Sequence, residues 1–388
     1  MKKISAVLVA FGMLCMTACG SGTGSDGGTS TSSDGTVPYA RNEYYTSFWK
    51  TDTIKNETVM LEEDENGVIS GELLFRPTEI LEIKNYDLSV GYGAEDYTLE
   101  GRTIVRTADS EMPYMSYDLL QGEGLEDAGL SSMDGLVFTE GKEIVSRLIN
   151  VTYRYDRSAE PWTVFPEDQS ARLTNLQRKL EAGEEIELFL YGDSIAAGCN
   201  ASSVLGYAPY LPVWGQAVAD ELSAQYDTEV RLRNGSVGGW QTADGARNII
   251  EQISVVPDDA PDLAIIAFGM NDGSARVAAK TYYGNMMSII TTIRESSPDC
   301  DIVLISTIHA NPLCSQDYAL TASYDEQNDL LCGAVERCVT VDMTAFSEAL
   351  YDRKDGLDLL ANNINHPNDF LVRCYAMNIL DAIAGVAE

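Results

Sequence analysis

Histidine is nearly missing: two residues in 388, His309 and His366. That scarcity excludes most His-rich metal sites and leaves two candidates for an imidazole base. Basic residues are scarce as well, 26 Lys+Arg against 60 Asp+Glu, for a formal net charge of −34. So acidic a surface repels phosphate backbones and anionic headgroups, which argues against a nucleic-acid partner and against polybasic membrane contact. A neutral or weakly charged substrate fits better. No cysteine pair has C-x-x-C spacing, and no Asp-x-Asp-x-Asp-Gly loop offers calcium ligands, so no metal and no other cofactor is expected. What is present, 45% hydrophobic and 22% charged residues, is ordinary globular composition. The length suggests two or three domains.

Lys2 and Lys3 precede an apolar run at 4–16, a positive n-region and an h-region too short for a permanent span. The run ends in Met16-Thr17-Ala18-Cys19-Gly20, which resembles the lipobox of bacterial lipoproteins, where the Cys thiol is diacylated and becomes residue one. The expectation is a signal peptide at 1–18, lipidation at Cys19, and a cell-surface protein held on the membrane by that anchor. Residues 19–37 are mostly Gly, Ser, Thr and Asp, a composition that buries no core and reads as a flexible linker. Six cysteines follow, from Cys199 to Cys374, and are expected to be mostly free, buried thiols.

Two halves differ in period. Residues 38–170 carry short β-branched and aromatic runs at 59–61, 73–75, 80–83, 97–99, 103–105 and 149–153, separated by turn signals. They read as an antiparallel β-sandwich, jelly-roll-like, with no His, no Cys and no catalytic constellation. From 171 to 388 a helix at 172–182 introduces apolar runs at 186–191, 230–232, 263–268, 302–306 and 339–341, alternating with stretches long enough for helices. Five such strands with helical crossovers form a parallel, flavodoxin-like three-layer α/β sheet, closed by a helix at 369–386. Reactive residues in such sheets collect where strands end.

Three strand ends and the approach to the last helix carry chemistry. Gly192-Asp193-Ser194 follows the first strand, placing a hydroxyl and a helix N-terminal amide at a cleft. Asn234-Gly235-Ser236-Val237-Gly238-Gly239-Trp240 follows the second, Gly269-Met270-Asn271-Asp272 the third, and Asn365-His366-Pro367 precedes the closing helix. A Ser hydroxyl needs a base to become a nucleophile, imidazole titrates in the right range, and neutral amides suit a developing oxyanion.

In order and spacing this constellation resembles the SGNH (GDSL-like) hydrolase superfamily. The resemblance implies Ser194 as nucleophile, His366 as base, and Ser194, Gly239 and Asn271 as oxyanion donors, with Gly238 the alternative glycine. It also marks a departure: the superfamily places Asp three residues before the His, and here Asn363 stands there. An amide stabilises imidazolium less than a carboxylate does. Asn363 is a possible orienter of the ring. The alternatives are a Ser–His dyad with a main-chain acceptor, or Asp358 or Asp369. Asp193 and Asp272 read as turn and cap residues. Trp240 and His309 are possible substrate-binding residues, whereas Trp214 reads at least as well as core.

The β half followed by such a hydrolase resembles carbohydrate esterase family 2 and its relatives. That likeness implies a serine esterase releasing acetyl groups from polysaccharide or oligosaccharide. Two alternatives stay open: a lipolytic or peptidoglycan O-acetylesterase, and a glycan-binding lipoprotein of weak catalytic power.

Overall fold

The computed structural model describes residues 44–253, 260–314 and 321–384. The expected signal peptide, Cys19 and the linker at 19–37 lie outside the described residues. The N-terminal half is antiparallel. β1 (Thr53–Met60), β10 (Leu148–Tyr155), β4 (Pro77–Asn85) and β5 (Gly91–Tyr92) form one sheet in the order β1-β10-β4-β5. A second runs β2-β3-β7-β6, from β2 (Glu62–Glu63), β3 (Ile69–Glu72), β6 (Tyr97–Glu100) and β7 (Thr103–Arg106). A hairpin of β8 (Ser131–Met133) and β9 (Leu136–Phe138) turns through Asp134-Gly135, both at positive φ (54° and 85°). Asp-Gly is suited to that turn because neither residue pays heavily for a left-handed backbone.

The apolar run at 73–75 is not a strand. Leu73, Leu74 and Phe75 form a fully buried bend whose amides find acceptors outside any ladder. Leu73 N donates to the Arg102 carbonyl, Leu74 N to Glu57 Oε1 at 2.8 Å and Phe75 N to the Tyr153 hydroxyl at 3.1 Å. Hydrophobicity placed these residues inside, and side-chain acceptors removed the need for sheet pairing.

The C-terminal half is a parallel sheet of β11 (Ile186–Gly192), β12 (Val230–Asn234), β13 (Leu263–Ala267), β14 (Asp301–Ile305) and β15 (Cys338–Val341), in the order β12-β11-β13-β14-β15. The inner strands β13 and β14 read as near-continuous apolar runs because both faces are covered, whereas the edge strand β12 alternates with Arg231 and Arg233. On β11, Leu188 and Leu190 pack in one core cluster with Trp214, Val218 and Leu222, while Phe189 and Tyr191 join another with Ile249, Tyr282 and Met286. The helices are α1 (Thr174–Ala182), α2 (Ser194–Ala197), α3 (Trp214–Tyr226), α4 (Thr242–Ile253), α5 (Met270–Ser274), α6 (Ala279–Ser296), α7 (Thr321–Ala334), α8 (Met343–Tyr351), α9 (Gly356–Leu359) and α10 (Asp369–Ile383). The chain winds outward in opposite senses from β11 and β13, so a crevice opens at their carboxyl ends.

α10 is buried along its whole length. One hydrophobic cluster runs from Ile54, Val59 and Tyr153 of the antiparallel half through Phe370 and Leu371 of α10 to Leu188 and Val303 of the parallel sheet. Two charged side chains of α10 are met by the N-terminal segment: Arg373 donates to the carbonyls of Lys55 and Asn56, and Asp381 accepts from the Trp49 indole and pairs with Lys50. Cys332 and Cys338 form a disulfide; Cys199, Cys300, Cys314 and Cys374 are in no disulfide among the described residues, and Cys300 and Cys374 are buried.

Candidate active site

β11 ends in Gly192, which has no room for a side chain: a Cβ there would sit 2.1 Å from the Ala267 carbonyl oxygen. The strand therefore turns tightly into α2. Asp193 caps that helix, its Oδ1 accepting from Ile195 N at 3.0 Å, which leaves Ser194 as the first helical residue. Burial pushes the Asp193 carboxyl up to about 7, with the neighbouring Asp272 adding to the rise. Asp272 accepts from Thr242 N at 2.9 Å and from its hydroxyl, so it fixes the start of α4. The Ser194 amide, at the N-terminus of α2, has no protein acceptor among the described residues.

His366 approaches from the loop before α10. Asn362 Oδ1 accepts from the amides of Ile364, Asn365 and His366, each at 3.0 Å, which curls the loop. Asn368 then caps α10 through Phe370 N and Leu371 N. The result is a Ser194 Oγ to His366 Nε2 distance of 3.0 Å, with both residues buried.

The other ring nitrogen settles the tautomer. His366 Nδ1 lies within hydrogen-bond distance of Asn200 Oδ1, and Asn200 Nδ2 donates to the Glu140 carbonyl at 2.9 Å. With its amide N committed, Asn200 presents an oxygen to the ring, and an oxygen only accepts. Nδ1 therefore carries the hydrogen and donates it, and Nε2 directs a lone pair at Ser194. Glu140 Oε2 is also near, 3.5 Å from Nδ1. Partial burial works against the Glu140 charge. The hydrogen bond and charge of His366, with the Asn362 and Asn200 amides, outweigh it and hold the carboxyl below the usual range.

Asn363 is turned elsewhere. Its φ is 61°, its Nδ2 donates to the Val137 carbonyl at 3.0 Å, and its Oδ1 accepts from Asn311 at 2.8 Å. Its side-chain hydrogen bonds go to these groups and not to the imidazole. The reason is the left-handed backbone, which aims the side chain at β9. Asp358 is committed to Met60 N and Lys354, and Asp369 to Ser202 N.

Gly238 and Gly239 lie in the turn after β12. A Cβ on Gly238 would be 3.8 Å from Ser194 Cβ, whereas Gly239, at φ 80°, faces open space. Neither amide has a protein acceptor among the described residues. Asn271, at the start of α5, donates one Nδ2 hydrogen to the Trp240 carbonyl at 3.0 Å and keeps a second to offer. The half-buried Trp240 meets Tyr191 edge-on, 6.2 Å between centroids. Trp214 is a core residue, fully buried and stacked on Tyr375. His309 Nδ1 faces the Thr321 hydroxyl at 3.2 Å, and burial lowers its pKa.

Asn200 and Glu140 were not visible in the sequence as site residues. Asn200 sits six positions after Ser194 at φ 64°, a backbone for which Asn is well suited. The Thr139-Glu140-Gly141 stretch carries no chemical signature at all.

Residues 190–370 match the GDSL-like Lipase/Acylhydrolase family. An arylesterase of Vibrio mimicus is 26% identical over 133 residues, covering 34% of this chain and 60% of that protein. Among solved structures, a two-domain esterase active on acetylated mannans superposes with a TM-score of 0.42 at 18% identity, covering 55% of this chain and 53% of that one. An acetylxylan esterase from Geobacillus stearothermophilus gives 0.39 at 19%, covering 52% and 95%. The chain thus spans less than two thirds of the arylesterase and of the mannan-active esterase. With Ser194 after β11, the glycine turn after β12, Asn271 after β13 and His366 before α10, residues 190–370 form a GDSL-like lipase/acylhydrolase (SGNH) domain.

Proposed function

We propose that the protein is a serine carboxylic ester hydrolase that releases short acyl groups, acetyl foremost, from polysaccharide. The observation that carries this is the 3.0 Å contact between Ser194 Oγ and His366 Nε2. His366 takes the hydroxyl proton as Oγ attacks the ester carbonyl. The oxyanion that forms is met by the Ser194 amide, the Gly238–Gly239 turn and the second Asn271 N–H, all neutral and fixed in advance. The imidazolium returns its proton to the departing sugar hydroxyl, leaving an acyl-enzyme on Ser194. A water activated by the same nitrogen then releases the acid.

Support for a sugar ester comes from the lining. Asn, Gly and the half-buried Trp240 make up the oxyanion turn, where a flat ring is suited to stacking on a sugar face. Hydrolysis of p-nitrophenyl esters is expected to be fastest for acetate and to fall steeply by octanoate; equal or faster octanoate cleavage would replace this reading with a lipolytic one. Acetate release from acetylated xylan, mannan and pectin is expected, and release from O-acetylated peptidoglycan alone would move the substrate to the cell wall.

Anchoring at Cys19 is part of the same proposal and rests on the lipobox-like sequence. Cys19→Ser is expected to move the protein from the membrane to the soluble fraction. A variant that stays with the membrane overturns the anchor without touching the chemistry.

A further inference from the structure

The Ser–His pair lacks the carboxylate that the sequence would place at 363, yet a carboxylate stands beside the ring. It comes from the other half of the chain. The β8–β9 hairpin ends at Phe138, and the loop that follows is fixed by Thr139: its hydroxyl donates to Glu143 Oε2 at 2.8 Å and accepts from Gly141 N at 2.9 Å. Glu140 leaves this loop with its carbonyl on Asn200 and its Oε2 3.5 Å from His366 Nδ1. Asn363, three residues before the histidine, donates to the carbonyl of Val137 on β9. The amide at the usual acid position therefore ties the histidine loop to the hairpin that delivers the acid.

We propose that Glu140 is the positioning acid of the site, acting through His366, with Asn200 as the neutral acceptor of the Nδ1 hydrogen. The proposal rests on the esterase reading above. When Nε2 takes the Ser194 proton, the ring becomes a cation; Glu140 stabilises that cation and takes no proton itself. Asn200 keeps the tautomer correct in the resting state but brings no charge. Division of the two tasks between two residues follows from the distances, since the amide oxygen is the nearer acceptor and the carboxylate the farther. The carboxylate held below its usual range remains ionised through the mildly acidic region. Asp193, the cap of α2, also interacts electrostatically with the imidazole.

The Glu140 side chain is 42% exposed, which weakens its field but opens a route for a small anion. Loss of the acid in a serine triad costs about 10⁴ in kcat; with Asn200 still holding the ring and water screening the charge, Glu140→Gln is expected to lower kcat about 10²-fold with KM nearly unchanged. Glu140→Asp is expected to restore part of the loss, and formate added to Glu140→Ala is expected to raise kcat in a saturable way. A role confined to structure predicts no formate response, because a diffusing anion does not rebuild a loop. Wild-type kcat in Glu140→Gln, or no formate response in a folded Glu140→Ala, overturns the proposal. Ser194→Ala runs alongside: turnover by the wild type that vanishes in Ser194→Ala keeps the esterase reading standing even if Glu140 fails, and wild-type turnover no greater than that of Ser194→Ala brings down both.

Discussion

Ser194→Ala is expected to lower kcat/KM for an acetate ester by about 10³-fold or more, with little change in folding stability. The size follows from what is lost and what stays. The substitution removes the atom proposed to form the acyl-enzyme, and among the described residues no other hydroxyl bonds to His366 Nε2. It leaves the Ser194 amide, the glycine turn and Asn271, since these are backbone or come from other elements. A residual acceleration over water therefore remains, of the kind an oxyanion hole alone provides. Stability changes little because among the described residues Oγ has one partner, the imidazole, and the alanine methyl occupies the same buried position. Release of p-nitrophenol by purified wild type and variant decides the matter. Equal, near-background rates would leave a protein that binds glycans without cleaving them.

What the sequence made legible was chemistry that sits next to a strand. Ser194 and Asn271 each follow an apolar run by three residues and the Gly238–Gly239 turn follows one by six or seven, so the order of runs already placed them at one edge of a sheet. Scarcity left two histidines as candidates, and the resemblance of the His-Pro motif before the last helix to the SGNH hydrolases singled out His366. Glu140 was hidden because its contact with His366 spans 226 positions and depends on a hairpin of three-residue strands. Nothing in Thr139-Glu140-Gly141 separates it from any acidic surface turn. Asn363 misled in a physical way. Its position suggests the ring, but its left-handed backbone aims the amide at Val137. The change of pattern near 170 was legible as a change from antiparallel to parallel strands, while the core cluster that crosses it was not, because burial of α10 on all sides comes from two layers supplied by distant segments. The run at 73–75 shows the limit of hydrophobic pattern alone: it reports burial, and pairing depends on where the amides find oxygen.

That same bend leads to the second large effect. Lys354 has no exposed side-chain surface; its Nζ lies 2.9 Å from Glu57 Oε1 and 3.2 Å from Asp358 Oδ2 and donates to the Glu72 carbonyl. Glu57 belongs to β1 and also accepts from Leu74 N and, at 2.6 Å, from the Tyr153 hydroxyl, while Asp358 on α9 accepts from Met60 N at 2.7 Å. One cation thus offsets two carboxylates that join the antiparallel half to the loop region before α10. Burial alone would lower the Lys354 pKa, but the two carboxylates hold it above the usual ammonium value, so its charge is constant through pH 5 to 8. Burial raises Asp358 to about 6, against the pull of Lys354. Lys354→Met leaves both carboxylates buried without a counter-charge and is expected to destabilise the fold by about 3–5 kcal/mol near pH 8. The sign of the pH dependence follows. A carboxyl whose folded pKa is raised costs stability above that pKa and recovers it as pH falls through it, so the deficit of the variant shrinks between pH 8 and pH 5. Adding Glu57→Gln and Asp358→Asn to Lys354→Met removes the uncompensated charge and is expected to restore part of the loss. Urea unfolding at both pH values measures all three. A single variant within about 1 kcal/mol of wild type at pH 8 would show that water reaches the cluster and that packing of α10, not this ion network, joins the halves.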